Sequence, residues 1–366
     1  MRSYVPSGKP PYRVPSMDEI RDLPWNGFTA ASTFSGCGGS SLGYRMAGFR
    51  VAWASEFIPA AVETYRANAS LSTVLDTRDI REVTAADVLS ALSMEAGQLD
   101  LLDGSPPCAS FSTAGKREAG WNQVKAYSDT HQRTDDLFWE YARLVEGIRP
   151  RVFVAENVSG LVKGVAKGYF KLILARLRDC GYKVEARLLD ASWLGVPQAR
   201  KRLIFVGVRD DLGVSPAFPS PLPYQYTVRD ALPEVGEPTM RDPETGADIS
   251  MTRYAIGREW ERLKPGSKSD KYLSLVRPDT RSPFPTITQR AGDTTAASVT
   301  HWSECRKLTL AELRRLSGFP DDFALTGTYE QRWERIGRAV PPVMMAAIAS
   351  VIRDRILIPL RDREAA

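Results

Sequence analysis

The sequence is short of histidine and cysteine, two side chains that often carry enzyme chemistry. It contains two histidines and four cysteines among 366 residues. A chain with so little imidazole offers few candidates for a histidine base, namely His131 and His301. The cysteines lie far apart, without the paired spacing of a zinc or disulfide framework, at Cys37, Cys108, Cys180 and Cys305. We therefore expect no metal site, and a single reactive thiol becomes the group to look for.

Long apolar runs are also missing. No stretch approaches the roughly 20 apolar residues that a membrane helix needs. The first six residues are not followed by the apolar core of a secretory signal. We therefore expect a cytoplasmic protein without membrane association. The net charge of +5 suits a polyanionic partner, although many proteins without one share such a charge.

From Phe28 onwards, short apolar runs alternate with stretches of helical periodicity. The runs typical of buried strands are 28–34, 51–55, 99–102, 152–155, 184–189 and 203–208. Apolar residues at helical spacing predict helices over 137–148, 169–180, 308–316 and 342–358. This alternation is typical of an α/β fold with a doubly wound, mostly parallel sheet.

The same pattern predicts how the chain is divided. Residues 1–27 are polar and proline-rich, and we interpret them as an N-terminal extension laid over the surface or partly disordered. Residues 28–212 carry the strand and helix alternation. It breaks near Gly213, and the stretch to about Cys305 is irregular and rich in Arg, Pro, Thr and Ser. We expect 213–305 to be a smaller, separate domain and 306–366 to return to the first.

A glycine-rich turn follows the first predicted strand, in the run Thr33-Phe34-Ser35-Gly36-Cys37-Gly38-Gly39-Ser40. Its glycines would let a ligand approach the backbone at the carboxyl edge of the sheet. The next strand leads to Glu56, where such folds hydrogen-bond a ribose diol, and Asp79 follows another short apolar stretch. A turn followed by two acids predicts an adenosine-bearing cofactor, with tight packing of the turn as the alternative.

Two prolines precede Cys108 in Asp103-Gly104-Ser105-Pro106-Pro107-Cys108. They restrict the backbone and keep the cysteine out of a helix, so we expect a rigidly presented thiol at the same sheet edge. A buried, unreactive cysteine is the ordinary alternative, but the neighbouring residues here are small and polar. Residues 113–134 have the composition of a loop that could close over a substrate.

Three further segments complete the pattern: Glu156-Asn157-Val158, Gln198-Ala199-Arg200-Lys201-Arg202 and Gly337-Arg338-Ala339-Val340-Pro341-Pro342. Singly, a carboxylate at a strand end or a basic run is more often a solvated surface. In order with the glycine-rich turn, Glu56, Asp79-Ile80 and Pro107-Cys108, they resemble the motif series of the cytosine-C5 DNA methyltransferases. The resemblance covers residues 28–212 and 306–350.

The resemblance implies a Rossmann-like methyltransferase fold, a target-recognition domain at 213–305 and S-adenosylmethionine as the cofactor. It implies that Cys108 adds to C6 of cytosine, while Glu156 binds N3 and the 4-amino group. Arg200 is expected near the cytosine O2, with Asn157, Gln198 and Arg202 organising the pocket. The residues expected around the cofactor are Phe34, Ser35, Gly36, Cys37, Gly38, Gly39, Glu56, Phe57, Asp79, Ile80, Pro107, Leu137, Arg338 and Ala339.

The resemblance implies double-stranded DNA as the partner, and the target cytosine must then be flipped out of its stack before C5 can react. Pro285-Thr286-Ile287-Thr288 resembles the element that closes the recognition region in this family. A cognate restriction endonuclease is a further candidate partner, and we expect a monomer. The cations predicted to contact phosphates are Arg253, Arg258, Lys264, Lys268, Lys271, Arg277, Arg281 and Arg290.

Two residues depart from the family pattern. Ala109 follows the cysteine where the family usually has Gln, so we expect altered contact with DNA without loss of activity. Arg338 stands where Asn is usual, and a guanidinium about 4 Å from a sulfonium would cost a few kcal/mol at an effective dielectric constant of about 20. Either Arg338 faces a phosphate or a protein carboxylate, or the cofactor carries a carboxylate of its own. Carboxy-S-adenosylmethionine would meet the second condition, with 5-carboxymethylcytosine as the product.

Other functions explain less of the sequence. A cysteine hydrolase would need His131 or His301 as its base, and a nicotinamide-dependent oxidoreductase would leave Pro107-Cys108 unused. The branch of the family that acts on tRNA is marked by a Cys-Phe-Thr element, which this sequence lacks. An inert DNA-binding relative would have no need of both Cys108 and Glu156.

Overall fold

The structure is a computed structural model that describes residues 8–107, 136–162, 167–232 and 239–366, with the backbone of 125–127, 130–132 and 166. The chain forms two compact units. The sheet unit comprises Arg21–Leu189, Lys201–Pro219 and Met345–Ala366, and the second unit comprises Met1–Ile20, Asp190–Arg200 and Ser220–Met344. The predicted functional division at residues 28, 213 and 306 stays a prediction.

Strands and helices alternate through the first half of the chain. The strands are β1 (Thr29–Thr33), β2 (Arg50–Ser55), β3 (Val74–Asp76), β4 (Leu101–Gly104), β5 (Lys125–Tyr127), β6 (Thr130–Gln132), β7 (Val152–Val158), β8 (Tyr182–Asp190), β9 (Gln198–Ala199), β10 (Lys201–Arg209), β11 (Ser267–Lys268), β12 (Val276–Arg277) and β13 (Phe284–Pro285). The helices are α1 (Met17–Arg21), α2 (Gly39–Met46), α3 (Pro59–Asn68), α4 (Ala85–Leu92), α5 (Leu137–Ile148), α6 (Ala166–Asp179), α7 (Val228–Ala231), α8 (Ala255–Arg262), α9 (Leu310–Leu316), α10 (Tyr329–Arg338), α11 (Pro342–Ile352) and α12 (Ile358–Glu364).

The sheet unit is built on a seven-stranded sheet in the order β3-β2-β1-β4-β7-β10-β8. Parallel pairing joins β3 to β2, β2 to β1, β1 to β4 and β4 to β7, whereas β10 runs antiparallel to β7. The predicted α/β class with a mostly parallel sheet is therefore confirmed. The strand order changes direction between β1 and β4, and ligands of such sheets bind beyond the carboxyl ends of the strands at this point.

The core of the sheet unit explains why these segments pair. Strands β1 and β4 are buried along their whole length, as expected for parallel strands covered on both faces. Helix α5 has the bounds that its apolar spacing predicts, and it places Phe138 and Tyr141 in the core beside Phe153 and Phe205. The Tyr141 hydroxyl lies 3.1 Å from the carbonyl oxygen of Leu102 and 2.9 Å from that of Val154. Tyr141 thus ties the helix to both β4 and β7.

The second unit has short elements and a small core of its own. Met251, Ile256, Trp260, Leu275 and Cys305 form this core. The N-terminal segment belongs to this unit, where the Tyr12 hydroxyl donates to the carbonyl oxygen of Arg315 at 2.8 Å. Among the helices that the structure describes, none is long and apolar enough to cross a membrane.

Gly207 provides a test of the sheet packing. A Cβ at this position would lie 2.0 Å from Cε1 of Phe153, which is fully buried. We expect Gly207→Ala to lower the free energy of unfolding by about 1–3 kcal/mol, because an overpacked core must shift to accept the methyl group. Urea denaturation followed by circular dichroism measures the change.

Gly168→Ala in α6 is the matched control, because its Cβ would meet nothing within 4 Å. An alanine there reduces the entropy of the unfolded chain and should leave stability unchanged or raise it slightly. Equal destabilisation by the two substitutions would contradict this account of the sheet.

Candidate active site

The turn after β1 combines an unusual backbone with open space. Phe34, Gly36 and Gly38 have φ values of 52°, 57° and 92°. For a phenylalanine this left-handed conformation costs about 1–2 kcal/mol, so the surrounding structure must hold it. The amide of Ser35 donates to the carbonyl oxygen of Ser55 at 2.9 Å, and that of Gly38 to Ser35 at 2.9 Å. A Cβ on Gly36 would meet nothing within 4 Å, so the turn is open on that side.

Glu56 fixes this turn to the end of β2. Its Oε2 accepts the amide of Gly36 at 2.7 Å, and its Oε1 accepts the amide of Ile58 at 2.8 Å. The carboxylate is 8% exposed. Two carboxylate oxygens can accept about four hydrogen bonds, so one side chain can bind both backbone amides at the same time. Phe57 follows it and is partly exposed.

Asp79 is linked to the start of α5 through an arginine. Arg81 lies 3.0 Å from an oxygen of Asp79 and 2.7 Å from one of Asp136. Ile80 and Leu137 are both buried in the core of the sheet unit. The structure therefore brings the sequence-predicted Asp79, Ile80 and Leu137 into one neighbourhood, held together by an arginine that the motifs did not single out.

Strands β4 and β7 bring the proline turn and the carboxylate motif together. Asn157 Nδ2 donates to the carbonyl oxygen of Pro106 at 3.3 Å. Glu156 lies in β7 with 8% exposure, and its Oε1 is 2.6 Å from Nε of Arg202 in β10. Pro107 is described, whereas Cys108, Ala109 and the side chains through residue 135 lie outside the described residues.

Gln198 and Arg200 lie in the second unit and contact the backbone there. Gln198 Nε2 lies 3.1 Å from Oγ of Ser317, and its Oε1 accepts the amide of Ile287 at 3.2 Å. Arg200 is 2% exposed and donates to the carbonyl oxygens of Ile287 at 2.8 Å and Gly337 at 2.9 Å. Both residues of this motif therefore hold the backbone at Ile287.

Arg338 ends α10 and pairs with a carboxylate of its own helix. Its Nε and NH2 lie 2.7 Å and 2.6 Å from Oε1 of Glu334, one turn earlier. Arg335 NH2 contacts the other oxygen of Glu334 at 2.9 Å. Ala339 follows as the C-cap, with its amide bonded to the carbonyl oxygen of Arg335. The sequence leaves three partners open for Arg338: a phosphate, a protein carboxylate or a carboxylate of the cofactor. Within α10, Arg338 contacts a protein carboxylate, that of Glu334.

The order of these motifs along the chain agrees with a known family over nearly its whole length. The sequence profile of the C-5 cytosine-specific DNA methylase family matches residues 28–354. The chain belongs to this family. The resemblance predicted from the motifs is confirmed, and so is the predicted enzyme class, a methyltransferase.

Bacterial relatives support this membership. Type II methyltransferase M1.HphI of Haemophilus parahaemolyticus is 31% identical over 342 residues, which cover 88% of this chain and 86% of the relative. Type II methyltransferase M.PspPI of a Psychrobacter species is 32% identical over 365 residues, covering 92% and 81%.

Solved structures show the same fold. A DNA modification methyltransferase encoded within an E. coli prophage superposes with a TM-score of 0.69 at 21% identity, covering 90% of this chain and 100% of that one. A Spodoptera frugiperda DNMT2 mutant superposes with a TM-score of 0.64 at 16% identity, covering 90% and 100%. The predicted Rossmann-like methyltransferase fold is confirmed.

The turn and its neighbours fit the cofactor of this methyltransferase family, S-adenosylmethionine. Gly36 leaves room where a side chain would stand, and Glu56 places a carboxylate beside it. Partly buried Phe34 and buried Ile80 supply apolar surface of the kind that an adenine ring packs against. The buried residues Cys37, Gly38 and Gly39 form the inner side of the turn.

One buried acid was not assigned a role from the sequence. Asp103 in β4 is 1% exposed, and it accepts hydrogen bonds from Ser32 Oγ at 3.1 Å and the Tyr44 hydroxyl at 3.0 Å. Burial raises its pKa to about 7, and the negative charge of Glu156 adds to the rise. An acid within an apolar strand, three residues before Pro106, was the signal available in the sequence.

His301 is a poor candidate for the base of a cysteine hydrolase. Its side chain is fully buried, and its Nδ1 accepts the amide of Glu304 at 3.0 Å. Burial lowers its pKa to about 2, with further lowering by the charges of Arg306 and Arg277. Such an imidazole is a weak base. The side chain of His131 lies outside the described residues.

The cations of the predicted recognition region differ in accessibility. Arg277 is partly buried, stacks 4.0 Å over the Trp260 ring and donates to the carbonyl oxygens of Trp302 and Leu263. These bonds hold Arg277 within its own unit, and its contact with phosphate stays a prediction. The remaining cations of that set are exposed: Arg253, Arg258, Lys264, Lys268, Lys271, Arg281 and Arg290.

Glu56 gives a test of the cofactor turn. In Glu56→Gln one of the two backbone amides, of Gly36 or Ile58, faces an NH2 group that cannot accept its hydrogen bond. We expect affinity for S-adenosylhomocysteine to fall about tenfold, the equivalent of one lost hydrogen bond to a charged acceptor. Isothermal titration calorimetry measures it.

Glu63→Gln on the exposed face of α3 is the control, because it makes the same chemical change outside the turn. It should bind as the unmutated protein does. Unchanged affinity in Glu56→Gln would remove Glu56 from the cofactor site.

Proposed function

We propose that this protein transfers a methyl group from S-adenosylmethionine to C5 of a flipped-out cytosine in double-stranded DNA, through a covalent bond between Cys108 and C6. The observation that carries the proposal is the hydrogen bond from Asn157 to the carbonyl oxygen of Pro106. It joins the strand bearing Glu156 to the proline turn that leads directly to Cys108, within a chain of the C-5 cytosine-specific DNA methylase family.

Cys108 has the nucleophilic role in this proposal. Cytosine C5 is a poor nucleophile, and addition of the thiolate sulfur to C6 makes C5 enamine-like. C5 then takes the methyl group, loses its proton to a base, and the C6–sulfur bond breaks to restore the ring. A duplex hides C5 in the base stack, so the cytosine must first be flipped out at a cost of a few kcal/mol.

Glu156 would accept hydrogen bonds from the 4-amino group and from protonated N3 of the flipped base. These bonds stabilise the activated ring because they strengthen as positive charge develops on it. Arg202 supports this role, since its Nε lies 2.6 Å from Oε1 of Glu156 and orients the carboxylate. Arg200, by contrast, would act through the backbone it holds at Ile287 and Gly337, and its contact with cytosine O2 stays a prediction.

S-adenosylmethionine supplies the electrophilic methyl group on its sulfonium. The turn from Phe34 to Gly39, together with Glu56, would hold the adenosine part, and Asp79, Ile80, Pro107 and Leu137 complete the proposed cofactor neighbourhood. Phe57, Arg338 and Ala339 stay predictions for the same site.

DNA recognition is proposed for residues 213–305, whose exposed cations suit phosphate contacts. The relatives are named type II methyltransferases. A cognate restriction endonuclease and a monomeric state stay predictions for this chain.

Methyl is the proposed transferred group because of the partner that Arg338 has. A carboxymethyl donor would need Arg338 to bind the carboxylate of carboxy-S-adenosylmethionine in a fork. Both Nε and NH2 of Arg338 instead contact Glu334, which Arg335 also contacts, so this carboxylate offsets part of the charge of the two guanidinium groups. An ordinary sulfonium then meets less repulsion than the sequence alone led us to expect.

Covalent trapping tests the nucleophile. A long PCR product made with 5-fluoro-dCTP offers many sequence contexts. Release of the enzyme requires loss of the C5 proton, and fluorine in place of that proton blocks this step, so the covalent adduct persists. We expect S-adenosylmethionine and the unmutated protein to give a protein–DNA adduct that survives denaturing electrophoresis, and Cys108→Ala to give none.

Cys180→Ala is the matched control, because Cys180 follows α6 with its Sγ bonded to the carbonyl oxygen of Arg176. It should form the adduct normally. Absence of an adduct with the unmutated protein, or its persistence in Cys108→Ala, would overturn the covalent step.

Nucleoside mass spectrometry tests the transferred group. DNA from cells expressing the protein should contain 5-methylcytosine and no 5-carboxymethylcytosine. Glu334→Gln should raise any use of carboxy-S-adenosylmethionine added in vitro, because it replaces the carboxylate that competes with the cofactor's carboxylate for Arg338. Carboxymethylcytosine as the main product of the unmutated protein would make the alternative donor the correct one.

A further inference from the structure

Asp103 is a buried carboxylate surrounded by hydroxyl groups. Its Oδ2 accepts Ser32 Oγ at 3.1 Å, its Oδ1 accepts the Tyr44 hydroxyl at 3.0 Å, and Ser40 also donates to it. At 1% exposure it is too deep to meet a substrate directly. A buried charge costs free energy unless hydrogen-bond donors surround it. The three hydroxyl groups offset this cost for Asp103, and their positions in the chain indicate what the carboxylate does.

The donors come from both ends of the glycine-rich turn. Ser32 lies in β1, before the turn begins at Phe34. Ser40 and Tyr44 lie in α2, after the turn ends. Ser35, inside the turn, extends the network, since its Oγ lies 3.1 Å from Ser32 Oγ and 3.0 Å from the carbonyl oxygen of Ser32. One carboxylate on β4 therefore connects the strand and the helix between which the turn is held.

We infer that Asp103 is a positioning residue for the cofactor: its ionised carboxylate holds the Phe34–Gly38 turn, through Ser32, Ser35, Ser40 and Tyr44, in the shape that binds S-adenosylmethionine. The inference rests on the proposed function, because it takes this turn to be part of the cofactor site. Cofactor affinity then depends on whether Asp103 is ionised.

The ionisation of Asp103 falls within the range of ordinary buffers. Burial raises its pKa to about 7, opposed by the hydrogen bonds from Tyr44 and Ser32 and assisted by the charge of Glu156. The titratable groups that interact with it from the surrounding elements are Tyr44 on α2, Tyr65 on α3, Tyr141 on α5 and Glu156 on β7. Burial holds the pKa of all three tyrosines above the usual value, so they stay neutral near pH 7.

Protonation would disturb the network. A carboxylate only accepts hydrogen bonds, whereas a carboxylic acid must also donate one. Each of its neighbours already donates, so at least one hydroxyl would have to turn its hydrogen away. Ser32 is fully buried and has little freedom to do so. The turn should therefore loosen as the pH falls through about 7.

The test is calorimetric titration with S-adenosylhomocysteine at a series of pH values. This thioether lacks the sulfonium charge, so its affinity reports the shape of the turn and not direct attraction to a buried negative charge. For the unmutated protein we expect a constant Kd above about pH 8 and a loss of up to tenfold per pH unit below about pH 7. The ligand's own amino and carboxyl groups add the same pH dependence to the Kd of every variant, so differences between variants come from the protein.

Three variants separate positioning from general damage. Asp103→Asn should bind about tenfold more weakly at pH 8 and lose the pH dependence, because no group remains to titrate. Tyr44→Phe removes one donor to the carboxylate and should move the midpoint to higher pH. Asp100→Asn changes another acid of the same chain segment, bonded to the amide of Thr29, and should keep the midpoint of the unmutated protein. Thermal unfolding at pH 8 confirms that each variant is folded.

The outcomes separate this inference from the proposed function. A folded, unmutated protein that binds no S-adenosylhomocysteine at any pH would overturn the cofactor assignment itself. Binding by the unmutated protein with a pH profile shared by Asp103→Asn would overturn only the role of Asp103. If Asp103→Asn does not fold, an unchanged midpoint in Tyr44→Phe overturns that role by itself.

Discussion

Strand β4 is hydrogen-bonded in parallel to β1 on one side and to β7 on the other, and the geometry of the candidate site depends on this alignment. Parallel strands end at a common edge. The glycine-rich turn, Pro106-Pro107 and Glu156 therefore meet there although they are far apart in sequence. Gly104 at the end of β4 shows how tight the fit is, since a Cβ would lie 2.3 Å from Tyr141 and 2.6 Å from Thr33 Oγ1.

The buried polar groups at this edge are stable because each is shared between two elements. Glu56 serves the turn and the residue before α3, Asn157 joins β7 to the proline turn, and Asp103 joins β4 to β1 and α2. A buried acceptor without donors would cost roughly 1–3 kcal/mol. Shared hydrogen bonds offset that cost and also fix the relative positions of the elements. The same contacts that stabilise the sheet edge thus preorganise it for a ligand.

Much of this architecture could be predicted from the sequence, for reasons that differ between its parts. Helix α5 was predicted with its observed bounds because its apolar residues recur at helical spacing, and β7 was found by its continuous apolar run. The two-residue strands β9 and β13 carry no periodicity, so only their pairing in space reveals them. Asp103 lies within the motif whose prolines and cysteine carry the sequence prediction. Its role depends on Ser32 and Tyr44, which are 71 and 59 residues away, and no local pattern records such distant partners.

The Gln198-Ala199-Arg200 segment illustrates what a motif can encode apart from contact with a substrate. Gln198 accepts the amide of Ile287 and Arg200 donates to its carbonyl, so both backbone groups of one residue are bound by the same motif. Pairing of β13 with β9 fixes Phe284 opposite Gln198. Ile287 lies in the element that closes the predicted recognition region. Both contacts use the backbone of Ile287, so they do not depend on the side chain of that residue. The planar fork of Arg200 bonds to Ile287 through NH1 and to Gly337 through NH2, so a single side chain holds two backbone segments.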